Sequence, residues 1–127
     1  MPDTQKVVAI VDDEPDTVDM LAEMVRLCGY QVLKSVGGTA GISLIADEKP
    51  DAVLLDVMMP DLSGLEVLRF MRGDPQLAVI PVIVVTARST PSDIRTAVEA
   101  GATAYLNKPV AYLDLKSAIE AAIQPAG

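Results

Sequence analysis

The chain has 127 residues and a formal net charge of −8. It is therefore long enough for one domain with a substantial core, and its charge argues against direct binding to nucleic acid, whose phosphates are held by basic surfaces. The absence of histidine excludes a histidine base, an imidazole metal ligand and a phosphohistidine carrier, and a single cysteine excludes an intrachain disulfide. Because no apolar run reaches membrane-spanning length and the first residues are polar, we expect a cytoplasmic protein.

Apolar runs alternate with helical patterns five times along the chain, without a linker between them. The predicted strands cover residues 6–11, 31–36, 52–56, 81–86 and 103–107. Helical patterns follow them at about 15–28, 38–45, 63–71, 90–100 and 113–123. Most of the strands are continuous apolar runs, which is typical of strands buried on both faces of a parallel sheet. The second run is less apolar and should lie near an edge of that sheet.

Helix starts are marked by local signals. Ser63 with Glu66 has the spacing of a capping box, and Thr90 provides a cap before the fourth helix. Strands that alternate with helices of this length form right-handed βαβ units. We therefore predict one α/β domain, a (βα)5 doubly wound five-stranded parallel sheet with helices on both faces, covering residues 1–127 with a core at about 5–124.

Charged residues follow three of the predicted strands. Asp12 and Asp13 come after strand 1, Asp56 ends strand 3, and Lys108 comes after strand 5. Because the carboxyl ends of parallel strands meet at one edge of a sheet, these side chains are expected to converge there. Three carboxylates in one crevice repel one another, which costs free energy unless a hard cation is part of the site. The amine beside them would in turn suit a phosphoryl group.

Four motifs occur in the order and at the spacing of one known family. They are Asp12-Asp13 after strand 1, the segment 56–64, Thr86-Ala87 after strand 4 and Lys108-Pro109 after strand 5. With these motifs the chain resembles the receiver domain of two-component response regulators over about residues 5–124. The resemblance implies a flavodoxin-like fold with strand order 2-1-3-4-5 and a cis peptide bond between Lys108 and Pro109.

The resemblance also implies a metal site. In it, Mg²⁺ (or Mn²⁺) is held by Asp13, Asp56 and the backbone carbonyl of Met58, while Asp12 acts largely through a bound water. These are oxygen ligands, which Mg²⁺ prefers while it retains several waters.

Further roles implied by the resemblance concern the phosphoryl group. Asp56 is the phosphoacceptor, a carboxylate nucleophile that forms an acyl phosphate. Lys108 provides a compact positive charge for a phosphate oxygen. Thr86 offers its hydroxyl to the phosphoryl group, and Ala87 offers a backbone N–H.

A conformational switch is the output that the resemblance implies. Thr86 moves toward the phosphoryl oxygens, Tyr105 swings inward, and the surface formed by helix 4, strand 5 and helix 5 changes. This is a shift between two packings of the same chain. The resemblance also makes this surface a candidate interface for a homodimer.

The sequence thus leads to a phosphorylation-dependent signalling switch. It would receive its phosphoryl group from a histidine kinase or a histidine phosphotransfer protein and control a downstream protein or a fused output domain, without contacting nucleic acid or a membrane directly. It would catalyse only its own phosphorylation and dephosphorylation, and so would not be an enzyme in the usual sense.

Other functions remain open at this point. One alternative is a small phosphatase or phosphotransferase with an aspartyl nucleophile, although Met58 stands where a second acid would be expected. Another is an interaction module with the same fold that is never phosphorylated. A flavin protein of similar topology would instead need a phosphate-binding loop after strand 1, where this chain has Asp-Asp-Glu-Pro.

Overall fold

Five parallel strands form the centre of the protein in a computed structural model that describes residues 5–123. The strands are β1 (Val7–Asp12), β2 (Gln31–Val36), β3 (Ala52–Leu55), β4 (Val82–Thr86) and β5 (Ala104–Asn107). The helices are α1 (Pro15–Leu27), α2 (Gly38–Glu48), α3 (Gly64–Gly73), α4 (Pro91–Glu99) and α5 (Tyr112–Ile123).

The strand order is β2-β1-β3-β4-β5, and every neighbouring pair is parallel. The (βα)5 prediction, the strand order and the edge position of β2 are therefore confirmed. The predicted elements differ from the observed ones by a few residues at their ends. The predicted domain range of 1–127, and its core bound at residue 124, extend into positions outside the described residues.

Alternate strand residues point to opposite faces of the sheet, and helices cover the apolar residues on both faces. On one face, strand residues such as Ile10 and Leu54 pack with α1 and α5. On the other face, residues such as Val11 and Leu55 pack with α2 and α3. Strands buried on both faces need apolar residues at every position, and this explains the continuous runs in the sequence.

The helix starts determine how the loops at the carboxyl edge are arranged. Ser63 caps α3 and Thr90 caps α4, each through a capping box with the residue three positions later. At the start of α2 the cap position is Gly37, which has no side chain to offer, and its φ of 98° is one that glycine adopts without strain. Within residues 5–123, none of the helices combines the length and the apolar character that crossing a membrane requires.

Candidate functional site

Three carboxylates converge at the carboxyl edge of the sheet. Asp12 ends β1, and Asp56 directly follows β3, which pairs with β1. The Asp56 N–H donates to the Val11 carbonyl at 3.0 Å, so the chain is still held to β1 at this point. One carboxylate oxygen from each of Asp12, Asp13 and Asp56 lies within 4.8 Å of the others. Asp12 and Asp56 are only 1% and 5% exposed, so their mutual repulsion is weakly screened by water.

Lys108 provides positive charge beside these acids. Its Nζ lies 2.7 Å from Asp12 Oδ2 and 3.0 Å from Asp56 Oδ2, and its side chain is 20% exposed. Its backbone N–H donates to the Thr86 carbonyl at 3.0 Å, which fixes the loop after β5 against β4. Burial opposes the charge, but the hydrogen bonds to Asp12 and Asp56 and the attraction of their negative charges together outweigh it and raise the pKa of Lys108. The peptide bond between Lys108 and Pro109 is cis, as predicted.

The donor set of the acidic cluster fits a hard divalent cation. Its three carboxylate oxygens lie within 4.8 Å of one another, close enough to face one ion, and oxygen ligands are those that Mg²⁺ prefers. The Asp56 carboxylate is oriented by the Met58 N–H, which donates to Oδ1 at 3.0 Å, and the Asp12 carboxylate by the Glu14 N–H, also at 3.0 Å. Each of these oxygens keeps a further lone pair for a ligand. The predicted residues Asp12, Asp13 and Asp56 are therefore brought together in a geometry that can hold a metal ion.

Thr86 and Ala87 lie at the end of β4, the strand next to β3. The Thr86 side chain is fully buried, and its hydroxyl oxygen accepts a 3.4 Å hydrogen bond from the Arg88 N–H. Ala87 is exposed directly after it. The structure thus places both residues at the same edge of the sheet as the acidic cluster.

Tyr105 lies on β5, opposite Val84 of β4. Its hydroxyl donates to the Arg88 carbonyl, and the ring lines a cavity of about 310 Å³ between Met58 and α4. Burial, together with the nearby charge of Asp93, raises the pKa of Tyr105. The Arg88 guanidinium in turn pairs with Asp93 at 3.3 Å. Sequence reasoning predicted a role for Tyr105 but missed these contacts, because they depend on the path of the loop after β4.

Asp61 lies in the segment 56–64, where the sequence analysis gave it no role of its own, and the structure shows that it contacts α2. One carboxylate oxygen accepts the Gly38 N–H at 3.1 Å, and the other accepts the Thr39 N–H at 3.0 Å. These hydrogen bonds lower the pKa of Asp61 to about 2, and the one from the Thr39 N–H contributes most. A signal was present in the sequence, since a helix that starts at Gly38 with Gly37 at its cap position has no side-chain cap of its own.

The sequence and the fold both match known proteins. Residues 8–120 match the model of the family described as the response regulator receiver domain. Protein PilH of Pseudomonas aeruginosa is 39% identical over 103 residues, which cover 81% of this chain and 85% of PilH.

Two solved structures illustrate the similarity of the fold. The signal receiver domain of a signal transduction histidine kinase from Syntrophus aciditrophicus superposes with a TM-score of 0.85 at 30% identity, over 93% of this chain and 89% of the other. The receiver domain of a sensor histidine kinase from Pseudomonas aeruginosa PAO1 gives a TM-score of 0.88 at 25% identity, over 96% of this chain and all of the other. That second structure contains a magnesium ion coordinated in its active site cleft.

Proposed function

This chain belongs to the family of response regulator receiver domains, and on that premise we propose that it is a phosphorylation-dependent signalling switch whose phosphoacceptor is Asp56. The observation that carries the proposal is the position of Lys108 Nζ, within 3.0 Å of Asp56 and beside a three-carboxylate cluster. An ammonium group and a cation site on either side of one buried carboxylate neutralise charge where a phosphoryl group would be accepted.

The proposed reaction is a transfer from a phosphorylated histidine of the partner to Asp56. A carboxylate oxygen of Asp56 attacks phosphorus and forms a new P–O bond, while the P–N bond to the donor imidazole breaks and its electron pair stays on nitrogen. Lys108 balances the negative charge of the phosphoryl oxygens, and the Thr86 hydroxyl and the Ala87 N–H donate hydrogen bonds to them. Later attack by water would release phosphate and restore the carboxylate, so the chain would catalyse only its own phosphorylation and dephosphorylation.

A divalent ion, Mg²⁺ or Mn²⁺, would supply further charge neutralisation when bound. The residues that would hold it are Asp13, Asp56 and the Met58 carbonyl, with Asp12 acting through water. Asp13 is the most solvent-accessible of the three acids, and it takes no part in the ion pairs of Lys108. Its charge is therefore the one least compensated by the protein itself.

The proposed output is a change in the surface formed by α4, β5 and α5. A phosphoryl group that accepts a hydrogen bond from the Thr86 hydroxyl would draw this side chain toward itself and away from the Arg88 N–H, and Tyr105 contacts the carbonyl of the same Arg88. Phosphorylation would thereby shift the balance between two packings of the loop after β4 and of Tyr105. The partners on either side of the switch would be a histidine kinase or phosphotransfer protein and a downstream protein or output domain, all in the cytoplasm.

The test is incubation with acetyl phosphate and Mg²⁺, followed by intact mass measurement and peptide mapping. We expect one alkali-labile phosphoryl adduct on Asp56, absent with a chelator and absent in Asp56→Asn. The control is Asp51→Asn, which changes an acid at the opposite edge of the sheet, where Asp51 accepts the Val7 N–H at 2.8 Å. An adduct on another residue, or none in a folded protein, would refute the proposal.

A further inference from the structure

The first turn of α2 connects the two segments that carry the acidic cluster. On one side, the Gly37 N–H donates to the Asp12 carbonyl at the end of β1, at 2.9 Å. On the other side, the next two N–H groups, of Gly38 and Thr39, donate to the Asp61 carboxylate in the loop between β3 and α3. Three consecutive backbone amides therefore join the end of β1 to the loop that follows Asp56.

The loop lies directly against this turn, so the contact is more than a pair of long-range hydrogen bonds. A Cβ atom on Gly38 would lie 2.3 Å from the Leu62 carbonyl oxygen, and one on Gly37 would lie 3.3 Å from Asp61 Oδ2. Only glycine allows the approach at Gly38, because the nearest atom there is backbone and cannot move aside.

The loop contains Met58, whose N–H orients the Asp56 carboxylate and whose carbonyl is the proposed third metal ligand. The side chain of Met59 is 7% exposed in the core and fixes the start of the loop. Met58 itself is 49% exposed, and the contact of Asp61 with α2 lies three residues after it. Asp61 thus restrains the far side of the segment that presents the carbonyl.

We propose that Asp61 is a positioning residue for the metal site, holding the Met58 carbonyl at a fixed distance from the acids of β1 through the first turn of α2. The proposal rests on the proposed function, because it takes the Met58 carbonyl as a metal ligand. Asp61 does not touch the metal; it fixes the loop in the ligand geometry before the metal binds. The lowered pKa of Asp61 agrees with this contact, because the Thr39 and Gly38 N–H groups favour the charged carboxylate.

Two variants of Asp61 separate the contact from the charge. Asp61→Ala removes both hydrogen bonds and the charge, whereas Asp61→Asn removes the charge but keeps one acceptor oxygen. The matched control is Asp51→Ala, which also removes a charge and a carboxylate–amide hydrogen bond between segments, but at the opposite edge of the sheet. The measured quantities are the Mg²⁺ dissociation constant by isothermal titration calorimetry and the melting temperature in a chelator.

We expect Asp61→Ala to weaken Mg²⁺ binding roughly tenfold, the lower end of the range for residues that support a metal ligand. Asp61→Asn should fall between this variant and the wild type, and Asp51→Ala should bind Mg²⁺ like the wild type while melting at a lower temperature. The rate of phosphorylation by acetyl phosphate should drop for Asp61→Ala at low Mg²⁺ and return to the wild-type rate at saturating Mg²⁺. Should Asp61→Ala not fold, Asp61→Asn compared with Asp51→Asn tests whether Mg²⁺ binding depends on Asp61, and an unchanged Mg²⁺ dissociation constant in Asp61→Asn would overturn the inference.

Two outcomes would overturn the inference while leaving the proposed function intact. The first is an unchanged Mg²⁺ dissociation constant in Asp61→Ala. The second is an equal loss in Asp61→Ala and Asp61→Asn, because the charge alone would then explain the effect. A wild-type protein that binds no Mg²⁺ would instead refute the proposed function, and this inference with it.

Discussion

Lys108 and Asp12 are 96 residues apart in the chain, and their charged atoms lie 2.7 Å apart at the edge of the sheet. The same ammonium group also reaches Asp56 at 3.0 Å. One cation is thus shared between two almost fully buried carboxylates, while Asp13 adds a third negative charge nearby. The electrostatic imbalance of this cluster leads to the first two predictions.

Asp13→Asn should stabilise the metal-free protein. Three carboxylates face one ammonium group, and two charges at this spacing repel by several kcal/mol in a partly buried site, a value that the partial exposure of Asp13 reduces to about 1 kcal/mol. The free energy of unfolding in a chelator should therefore rise by about 1 kcal/mol, measured by urea denaturation. In the wild type, Mg²⁺ should add stability that the variant does not gain.

A control for this variant is Asp16→Asn. Asp16 is an acid in the first turn of α1, where it complements the helix dipole, so its neutralisation should cost about 0.5 kcal/mol. A loss of stability in Asp13→Asn, in the absence of metal, would contradict the idea that repulsion dominates the cluster.

Lys108→Ala should destabilise the protein by about 2–3 kcal/mol at pH 7, because it leaves Asp12 and Asp56 buried without a cation. Lys108→Arg keeps the charge and should retain most of the stability. The measurement is the free energy of unfolding by urea denaturation, and wild-type stability in Lys108→Ala would count against the shared-cation interpretation.

Asp61 should contribute to the acid sensitivity of the fold. Its pKa is about 2 in the native state against an ordinary value of 3.8, because the Thr39 and Gly38 N–H groups stabilise the charged form. The stabilisation is complete above the unfolded-state value and is lost as the pH falls from about 4 to about 2. The difference in unfolding free energy between wild type and Asp61→Asn should therefore be constant above about pH 5 and shrink below pH 4, measured by denaturation at several pH values. A difference that does not vary with pH would show that the charge of Asp61 is not the stabilising element.

Gly64→Ala should disturb the loop that follows the phosphoacceptor. A Cβ atom there would lie 2.2 Å from the Asp56 carbonyl oxygen and 2.6 Å from the Val57 Cα, both of them backbone atoms. We expect a loss of about 2–3 kcal/mol in the free energy of unfolding and weaker Mg²⁺ binding. The control is Gly73→Ala in the same helix, where an added Cβ has no atom within 4 Å; it should be neutral or stabilising by up to about 1 kcal/mol. Equal effects of the two substitutions would contradict the close approach at Gly64.

Local sequence patterns predicted much of the fold. The runs at residues 8–11 and 82–85 are apolar at every position, because both faces of the sheet are covered, and this distinguished buried parallel strands from surface strands. The capping box of α3 was also predictable, because its two partners, Ser63 and Glu66, are only three residues apart in the sequence. Such features depend on interactions between near neighbours in the chain.

Contacts at the site were predictable only in part. That Asp12, Asp56 and Lys108 share one edge followed from their positions at strand ends. That one ammonium group bonds both carboxylates depends on the conformation of the loop after β5.

The sequence by itself determined the α/β class, the five strands and the kinds of charge that meet at their ends, because periodicity and strand-end position are local properties. Only the tertiary structure decided that Asp61 caps α2 across 22 residues and that Tyr105 bonds the carbonyl of Arg88. The physical reason is that hydrogen bonds between loops depend on how the loops are packed in three dimensions, and this is fixed by the whole sheet and its helices.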